Sequence, residues 1–424
     1  MIGWTAPVAS GPVQGVVVVP GSKSASARSL LLAALADGPS TLTGVLDSRD
    51  TTLMRAGLTT LGAAFTELGR DQLRVTPADS IHGGGRIDCG LAGTVMRFLP
   101  PVAAQAVAPT TFFGDPHASG RPMGALLGAL AELGAEVSSP FVLPFSVGAG
   151  KLRGGHVSID ASGSSQFVSA LLLAGARYAD GIEVAHVGAT LPSVPHIEMT
   201  CLLLERRGVS VSRPATRTWR VARGPIAALD EVVEPDLTNA ATLLAAALIT
   251  GGELTTAWPD GVQAADELAG VLAAFGASIT LRGSGVKRSI TVSGANGLRG
   301  ADVDLAAVSE FTPAAAALAA LAPEPSRVCG VAHIRGHETD RLAALTSELG
   351  GLGAGVRPTA DGLEFTPAAL HGGVFATHAD HRMAHAGALV GLVTEGVVLD
   401  DVACTTKTLP DFAGLWARLV GVAA

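Results

Sequence analysis

Residues 16–38 read VVVVPGSKSASARSLLLAALADG: a β-like valine run, a Pro-Gly break, a polar stretch carrying Lys23 and Arg28, and an alanine-leucine helix. A helix N-terminus already presents unpaired backbone N–H groups and the positive end of the macrodipole, so added cations are unfavourable unless an anion joins them. The stretch is not a nucleotide-binding P-loop, which needs Gly directly before its Lys-Ser pair, whereas Ser22 precedes Lys23. It is not a Ser-x-x-Lys nucleophile either, because Ser22 and Ser24 have Ala25 and Ala27 three positions on. Taken alone it reads as readily as a strand-to-helix turn with two solvated cations.

The same helix recurs. Copies begin at Ser29, Arg97, Ser169, Ala241, Ala314 and Ala386, at intervals of 68, 72, 72, 73 and 72 residues, the one at Arg97 being the weakest. A second helix type alternates with it from Asp50, Pro122, Pro195, Ala265, Glu338 and Leu409. Its apolar residues fall at three- and four-residue spacing, and glycine near its end suits a left-handed cap. Each unit reads as strand, helix, strand, helix and further strands over roughly 70 residues, an α/β arrangement of two halves with three units each. PGS at 20–22 and EPDLTN at 234–239 occupy corresponding places before a first-type helix. The sequence therefore predicts an N-terminal lobe over 20–234 and a C-terminal lobe over 1–19 plus 235–424. A double hinge lies near 20–22 and 234–239, and the VVVV strand completes the second lobe.

Composition narrows the function classes. The 424 residues are 48% hydrophobic and 16% charged, with net charge −8. This predicts a well-buried protein of two or three domains and disfavours nucleic acid as a partner. Apolar runs are too short to span a membrane and MIGWTAPVAS lacks signal-peptide character, so a cytoplasmic protein and, in the absence of any partner motif, a monomer are expected. Cys89, Cys201, Cys329 and Cys404 have no C-x-x-C spacing and the eleven histidines no H-E-x-x-H arrangement, so no metal site is expected. Lysine occurs only at 23, 151, 287 and 407, against 25 arginines, which suggests positions where a compact, titratable ammonium matters.

The residues opening the first-type helices are GSKSASAR, LAGTVMR, SGSSQFV, PDLTNAA, SEFTPAA and ADHRMAH. Capping accounts for their Ser, Thr and Asp, but not for Lys23, Arg28, Arg97 and Arg382. Together PGSKSASAR, LAGTVMRFL, GRPMGALL, SGSSQF, LPSVPHIEMT, Glu310, HETDRL, DHRMAHA and TTKTLPDF, in this order from Lys23 to Phe412, resemble the motifs of the 5-enolpyruvylshikimate-3-phosphate synthases. The resemblance implies a two-domain inside-out α/β barrel, each domain with three copies of a βαβαββ unit. It implies transfer of the enolpyruvyl group of phosphoenolpyruvate to the 5-hydroxyl of shikimate 3-phosphate, with release of phosphate and no cofactor.

Carried over by motif, Ser24 and Arg28 would bind the shikimate carboxylate, and Ser164, Ser165 and Ser193 its 3-phosphate. Arg121, Arg341, Arg382 and Lys407 would hold phosphoenolpyruvate, with the Gly93 backbone close by, Lys23 between the substrates and Gln166 touching both. Glu310 is the candidate base for the 5-hydroxyl, while Glu338 and Lys23 are candidates for proton transfer at the methylene carbon. His337 would face shikimate 3-phosphate. The chain departs from the family pattern at Ala27 and Leu91, where Asn is usual, at Glu310 for Asp, at His337 for Lys and at His385 for Met.

The related UDP-N-acetylglucosamine enolpyruvyl transferases usually carry Cys, sometimes Asp, in the loop before GxRP; here that loop is GDPHASGRP. A non-catalytic anion-binding relative would not need Lys23, Glu310, Glu338 and Lys407 together. If the cations divide between the lobes, the empty lobes would repel, and substrate anions would draw them together.

Overall fold

The structure is a computed structural model and describes residues 3–138 and 140–421, so residues 1–2 and 422–424 of the predicted second lobe lie outside it. The chain divides into a first unit, Gly21–Glu234, and a second unit, Met1–Pro20 with Pro235–Ala424.

In the first unit the helices are α1 (Lys23–Ala34), α2 (Arg49–Thr60), α3 (Gly93–Ala103), α4 (Gly124–Glu132), α5 (Gln166–Gly175) and α6 (Val194–Arg206). In the second they are α7 (Leu237–Thr250), α8 (Ala265–Ala274), α9 (Thr312–Leu321), α10 (Arg341–Gly351), α11 (His381–Gly391) and α12 (Phe412–Val420). The odd-numbered helices are the first type of the repeat. They are buried along nearly their whole length, and every residue of α3 is buried. Such helices have no solvent face and belong in an interior.

Each unit has three small sheets among the described residues, every one with a parallel pair of strands, joined through an odd-numbered helix in the second and third sheets of each unit. Five sheets add an antiparallel pair, and the sixth, Gly373–Phe375, Val397–Leu399 and Trp4–Thr5, adds one antiparallel strand. In the sheet built from Arg86–Asp88, Thr110–Phe113, Phe145–Gly148 and Glu136–Val137, the first two pair in parallel and the rest antiparallel. Strands such as Gln72–Thr76 alternate exposed and buried residues, so one sheet face meets the helices and the other meets water. Strands from the far end of the chain complete the first sheet of each unit. Glu231–Val232 pairs with Ser40–Thr43 in the first unit, and Gln14–Val16 pairs with Glu253–Ala257 in the second.

One local expectation changes. The strand expected at VVVV is Gln14–Val16, prolonged by the Val17 N–H to the Thr255 carbonyl at 2.9 Å. Val17 and Val19 are buried while Val16 and Val18 point outward, the alternation of a one-sided edge rather than a core strand. The weak helix copy is α3, which contains Pro100 and Pro101 and opens at Gly93 within LAGTVMR.

The unit boundaries are tied by backbone. Within the first unit the Ser22 N–H donates to the Glu234 carbonyl at 2.7 Å; within the second the Asp236 N–H donates to the Pro20 carbonyl at 2.9 Å. Gly21 is required at this crossing, because a Cβ there would lie 2.1 Å from the Gly44 carbonyl oxygen. No helix of the described residues is long and apolar enough to cross a membrane.

Candidate active site

In the first unit α1 and α3 carry cations in their N-terminal halves. Lys23 is the first residue of α1 after the Ser22 cap, and its ammonium lies 3.8 Å from Asp50 in the first turn of α2. Arg28, one turn on, is only 1% exposed. It donates to Thr200 Oγ1 (2.7 Å), the Ser24 carbonyl (2.9 Å), the His196 carbonyl (3.0 Å) and Ser169 Oγ (3.3 Å), and lies over the Phe98 ring. One side chain thus joins α1, α5 and α6. Burial pulls its proton affinity down to about 9, with the Cys201 thiol acting in the opposite sense. Both arms of the guanidinium already hold protein acceptors.

Arg97 plays the same part between α3 and α5. Its Nη1 donates to Gln166 Oε1 at 2.9 Å and Ser164 Oγ at 3.2 Å, its plane covers Phe167, and its Nε has no hydrogen-bond partner among the described residues. Burial, followed by the nearby Arg121 charge, holds Arg97 well below its ordinary value. Neither Arg28 nor Arg97 has a carboxylate partner in the ion pairs of the described residues, and a buried cation without a counter-charge is costly. An anion at these helix ends would supply it.

Ser164, Ser165 and Gln166 form the start of α5. Ser165 is its N-cap residue but makes no side-chain cap bond, and Ser164 Oγ accepts from the Gln166 N–H at 3.3 Å. Ser193, before α6, is held in the left-handed region at φ 50°. Arg121 donates to the Leu91 carbonyl at 2.9 Å, and a Cβ on Gly93 would lie 2.9 Å from Arg121 Nη2. Glycine at 93 is what lets the guanidinium lie against the start of α3.

The second unit gathers its residues differently, with carboxylates among the cations. Arg341, 1% exposed, grips Asp380 with two bonds (Nε to Oδ2 2.7 Å, Nη2 to Oδ1 3.1 Å). Its Nη1 reaches Glu310 Oε2 at 3.0 Å and His337 Nδ1 at 3.2 Å. Burial opposes ionisation of Arg341, but Asp380 and Glu310 overcome it and raise its proton affinity. Arg382 donates to Asn239 Oδ1 at 2.7 Å and lies 3.6 Å from Glu310 Oε2. Lys407 is ion-paired with Glu338, whose other oxygen lies 3.3 Å from His381 Nδ1.

Glu310 sits in the tight turn Ser309–Phe311 that leads into α9. Burial alone would raise its pKa; the Arg341 guanidinium, the hydrogen bond with His337 and the Arg382 charge hold the carboxyl well below the usual range. His337 follows the turn Ala332–Gly336, with Nδ1 3.4 Å from Glu310 Oε1. Three cations and three carboxylates, Glu310, Glu338 and Asp380, balance formally, so this face does not carry the uncompensated positive charge on which lobe repulsion was expected.

Glu338, Asp380 and His381 each offer a ligand atom within 4.8 Å of the others. A metal ion there would have to displace the Arg341 guanidinium and the Lys407 ammonium from those carboxylates.

Four contributors had no role in the sequence reading. Arg97 was visible as a helix-start cation that capping does not explain. Asp380 and Asn239 read as ordinary cap and first-turn residues; in fact Asp380 caps α11 through the Arg382 N–H at 2.9 Å while also clamping Arg341. Asp50 read as an acidic first-turn residue. The chain enters α11 through His378 and Ala379, both left-handed at φ 54°. With Ser193, three of the four non-glycine residues of positive φ among those described lie beside these sites, where strain of about 1–3 kcal/mol each is typically retained.

Comparison with known proteins accords with this geometry. A family model described as EPSP synthase (3-phosphoshikimate 1-carboxyvinyltransferase) matches residues 8–416. A curated 3-phosphoshikimate 1-carboxyvinyltransferase of Kocuria rhizophila is 52% identical over 438 aligned positions, covering 99% of this chain and 96% of that protein. Two solved structures of EPSP synthase from Acinetobacter baumannii share the fold, with TM-scores of 0.82 and 0.81, identities of 24% and 23%, and 97% of each chain covered. Motif order, fold and overall identity agree: the chain belongs to the EPSP synthase family.

Proposed function

We propose that the protein carries out the reaction for which its family is named, joining the enolpyruvyl group of phosphoenolpyruvate to the 5-hydroxyl of shikimate 3-phosphate and releasing phosphate. The observation that carries this reading is the Glu310–Arg341–Asp380 cluster with Arg382 and the Lys407–Glu338 pair beside it. It joins anion-binding guanidinium groups to carboxylates able to move protons, a combination that simple anion capture does not need.

The first unit takes shikimate 3-phosphate. The α5 N-terminus with Ser164 and Ser165, together with Ser193, binds the phosphate, Gln166 touches both substrates, and Ser24 with Arg28 binds the carboxylate, Arg28 exchanging one of its protein acceptors. Arg97 is added to the earlier set as the group that fixes Ser164 and Gln166. Phosphoenolpyruvate is taken by Arg121 beside Gly93 and by Arg341, Arg382 and Lys407, with Lys23 between the two substrates.

Glu310 removes the hydroxyl proton as the oxygen attacks C2 of phosphoenolpyruvate. Lys23 or Glu338 protonates C3 and later takes a C3 proton back as phosphate leaves, so addition and elimination proceed through a tetrahedral intermediate. Without substrate Glu310 is ionised but a weak base, because Arg341 and Arg382 stabilise its charge. Substrate anions on those guanidinium groups weaken that stabilisation and strengthen the base. The base is strengthened only when its reaction partner is bound. The lobe 20–234 takes mainly shikimate 3-phosphate and the lobe 1–19 with 235–424 supplies part of the phosphoenolpyruvate site, and a monomer in the cytoplasm is the working form.

The test offers purified protein phosphoenolpyruvate with shikimate 3-phosphate, or with UDP-N-acetylglucosamine, and measures phosphate. Release with shikimate 3-phosphate alone is the expected result. Release only with the nucleotide sugar, or with neither, would overturn the reading.

A further inference from the structure

His337 places one ring nitrogen between a donor and an acceptor. Its Nδ1 lies 3.2 Å from Arg341 Nη1 and 3.4 Å from Glu310 Oε1. A guanidinium can only donate and an ionised carboxylate can only accept. With Nδ1 bare the ring accepts from Arg341; with Nδ1 protonated it donates to Glu310. Both protonation states therefore have a partner without any turn of the ring.

The surroundings leave that nitrogen as the free proton acceptor of the cluster. On the same turn, His333 stacks edge-on at 5.6 Å with its Nε2 3.0 Å from Ser309 Oγ, and burial, followed by the His337 charge, lowers its pKa to about 4. Arg335 is engaged with Asp340 at 3.4 Å. From α10 the facing charge is Arg341, from the 309–311 turn Glu310, and from α11 Asp380, His381 and Arg382. Asp380 is bound to Arg341, Arg382 lies 3.6 Å from Glu310, and Glu338 is shared between Lys407 and His381. Glu310, held well below the usual carboxylate range, keeps a proton poorly.

We propose that His337 receives, through Glu310, the proton that leaves the acceptor hydroxyl, the two residues forming a carboxylate–imidazole relay. This rests on the carboxyvinyl-transfer reading above. The hydroxyl O–H bond breaks as its oxygen bonds to C2 of phosphoenolpyruvate. The proton passes to the Glu310 carboxylate and on to His337 Nδ1, which restores the carboxylate and leaves an imidazolium. The C3 proton comes from, and returns to, a separate acid. The departing phosphate takes up one proton from water as hydrogen phosphate, and the ring, 21% exposed, releases one to water, so the proton count balances.

The experiment measures kcat and KM against pH for the wild type, His337→Gln and His337→Ala, with folding checked by circular dichroism. Wild-type kcat falls with acid through a one-proton step. His337→Gln loses about 10²-fold in kcat and loses that step, while KM for shikimate 3-phosphate moves less than fivefold. Added imidazole restores part of the kcat of His337→Ala. Persistence of the step in His337→Gln, or a loss confined to KM with no imidazole rescue, would overturn the relay. An inactive wild type would instead overturn the reading on which it rests.

Discussion

At the candidate site residues, the two units hold buried arginines by opposite means. In the first, Arg28 and Arg97 lie against hydroxyls, carbonyls, an amide oxygen and aromatic faces. In the second, Arg341 lies between two carboxylates. Neutral acceptors orient a cation without cancelling its charge, so the first unit keeps electrostatic attraction for an anion. Carboxylates cancel that attraction but provide bases. On the proposed reading, the same βαβαββ unit, repeated three times in each half, yields a face that binds and a face that moves protons.

The largest effect that tests this contrast comes from removing each arginine. Arg341→Met strands the Asp380 and Glu310 charges, and losing one partner of a buried ion pair costs about 3–5 kcal/mol. Arg28→Met leaves neutral acceptors, at about 1–3 kcal/mol. Denaturant unfolding should show the larger loss for Arg341→Met; equal losses would break the comparison. Both variants should also lose phosphate release.

Acid sharpens it further. Because the folded-state pKa of Glu310 is depressed, its stabilisation is complete above the unfolded carboxyl value, near 4.3, and is lost as pH falls through the folded value. Unfolding of the wild type should therefore grow steeper with acid below about pH 5 than that of Glu310→Gln. Superimposable pH profiles would show that Arg341 and Arg382 do not hold the carboxyl down.

Gly93→Ala makes a smaller change. The added Cβ, 2.9 Å from Arg121 Nη2, moves the end of a flexible side chain, so stability changes by less than about 1 kcal/mol while KM for phosphoenolpyruvate rises. An unchanged KM would remove Arg121 from that site.

A further small effect concerns His385, fully buried with neither ring nitrogen hydrogen-bonded among the described residues. Burial, then the Arg382, His381 and Arg341 charges, hold its pKa well below the ordinary value, so the ring is neutral. His385→Met should stabilise the second unit by about 1 kcal/mol, seen as a raised unfolding midpoint.

Periodicity made the six units legible, because a buried helix and a one-sided strand leave patterns within a few residues of one another. Lysine rarity was informative too: Lys23 and Lys407 are partly buried and ion-paired with Asp50 and Glu338, while Lys151 and Lys287 lie exposed. What stayed hidden depends on long-range approach. Nothing near Arg28 announces Thr200 or Ser169, 172 and 141 residues away, and nothing in DHR distinguishes a capping Asp380 from one that also clamps Arg341. The balance of charge in the second unit, which removes the premise for repulsion there, follows from such pairings alone.

The division between a binding face and a proton-moving face is tested most directly by Glu310→Gln. Calorimetric titration with shikimate 3-phosphate and phosphate release should be measured on the same preparation. The account predicts affinity within about tenfold of the wild type, since the amide still accepts a hydrogen bond, and turnover reduced about 10²–10⁴-fold. Turnover retained, or binding lost in proportion to turnover, would contradict it.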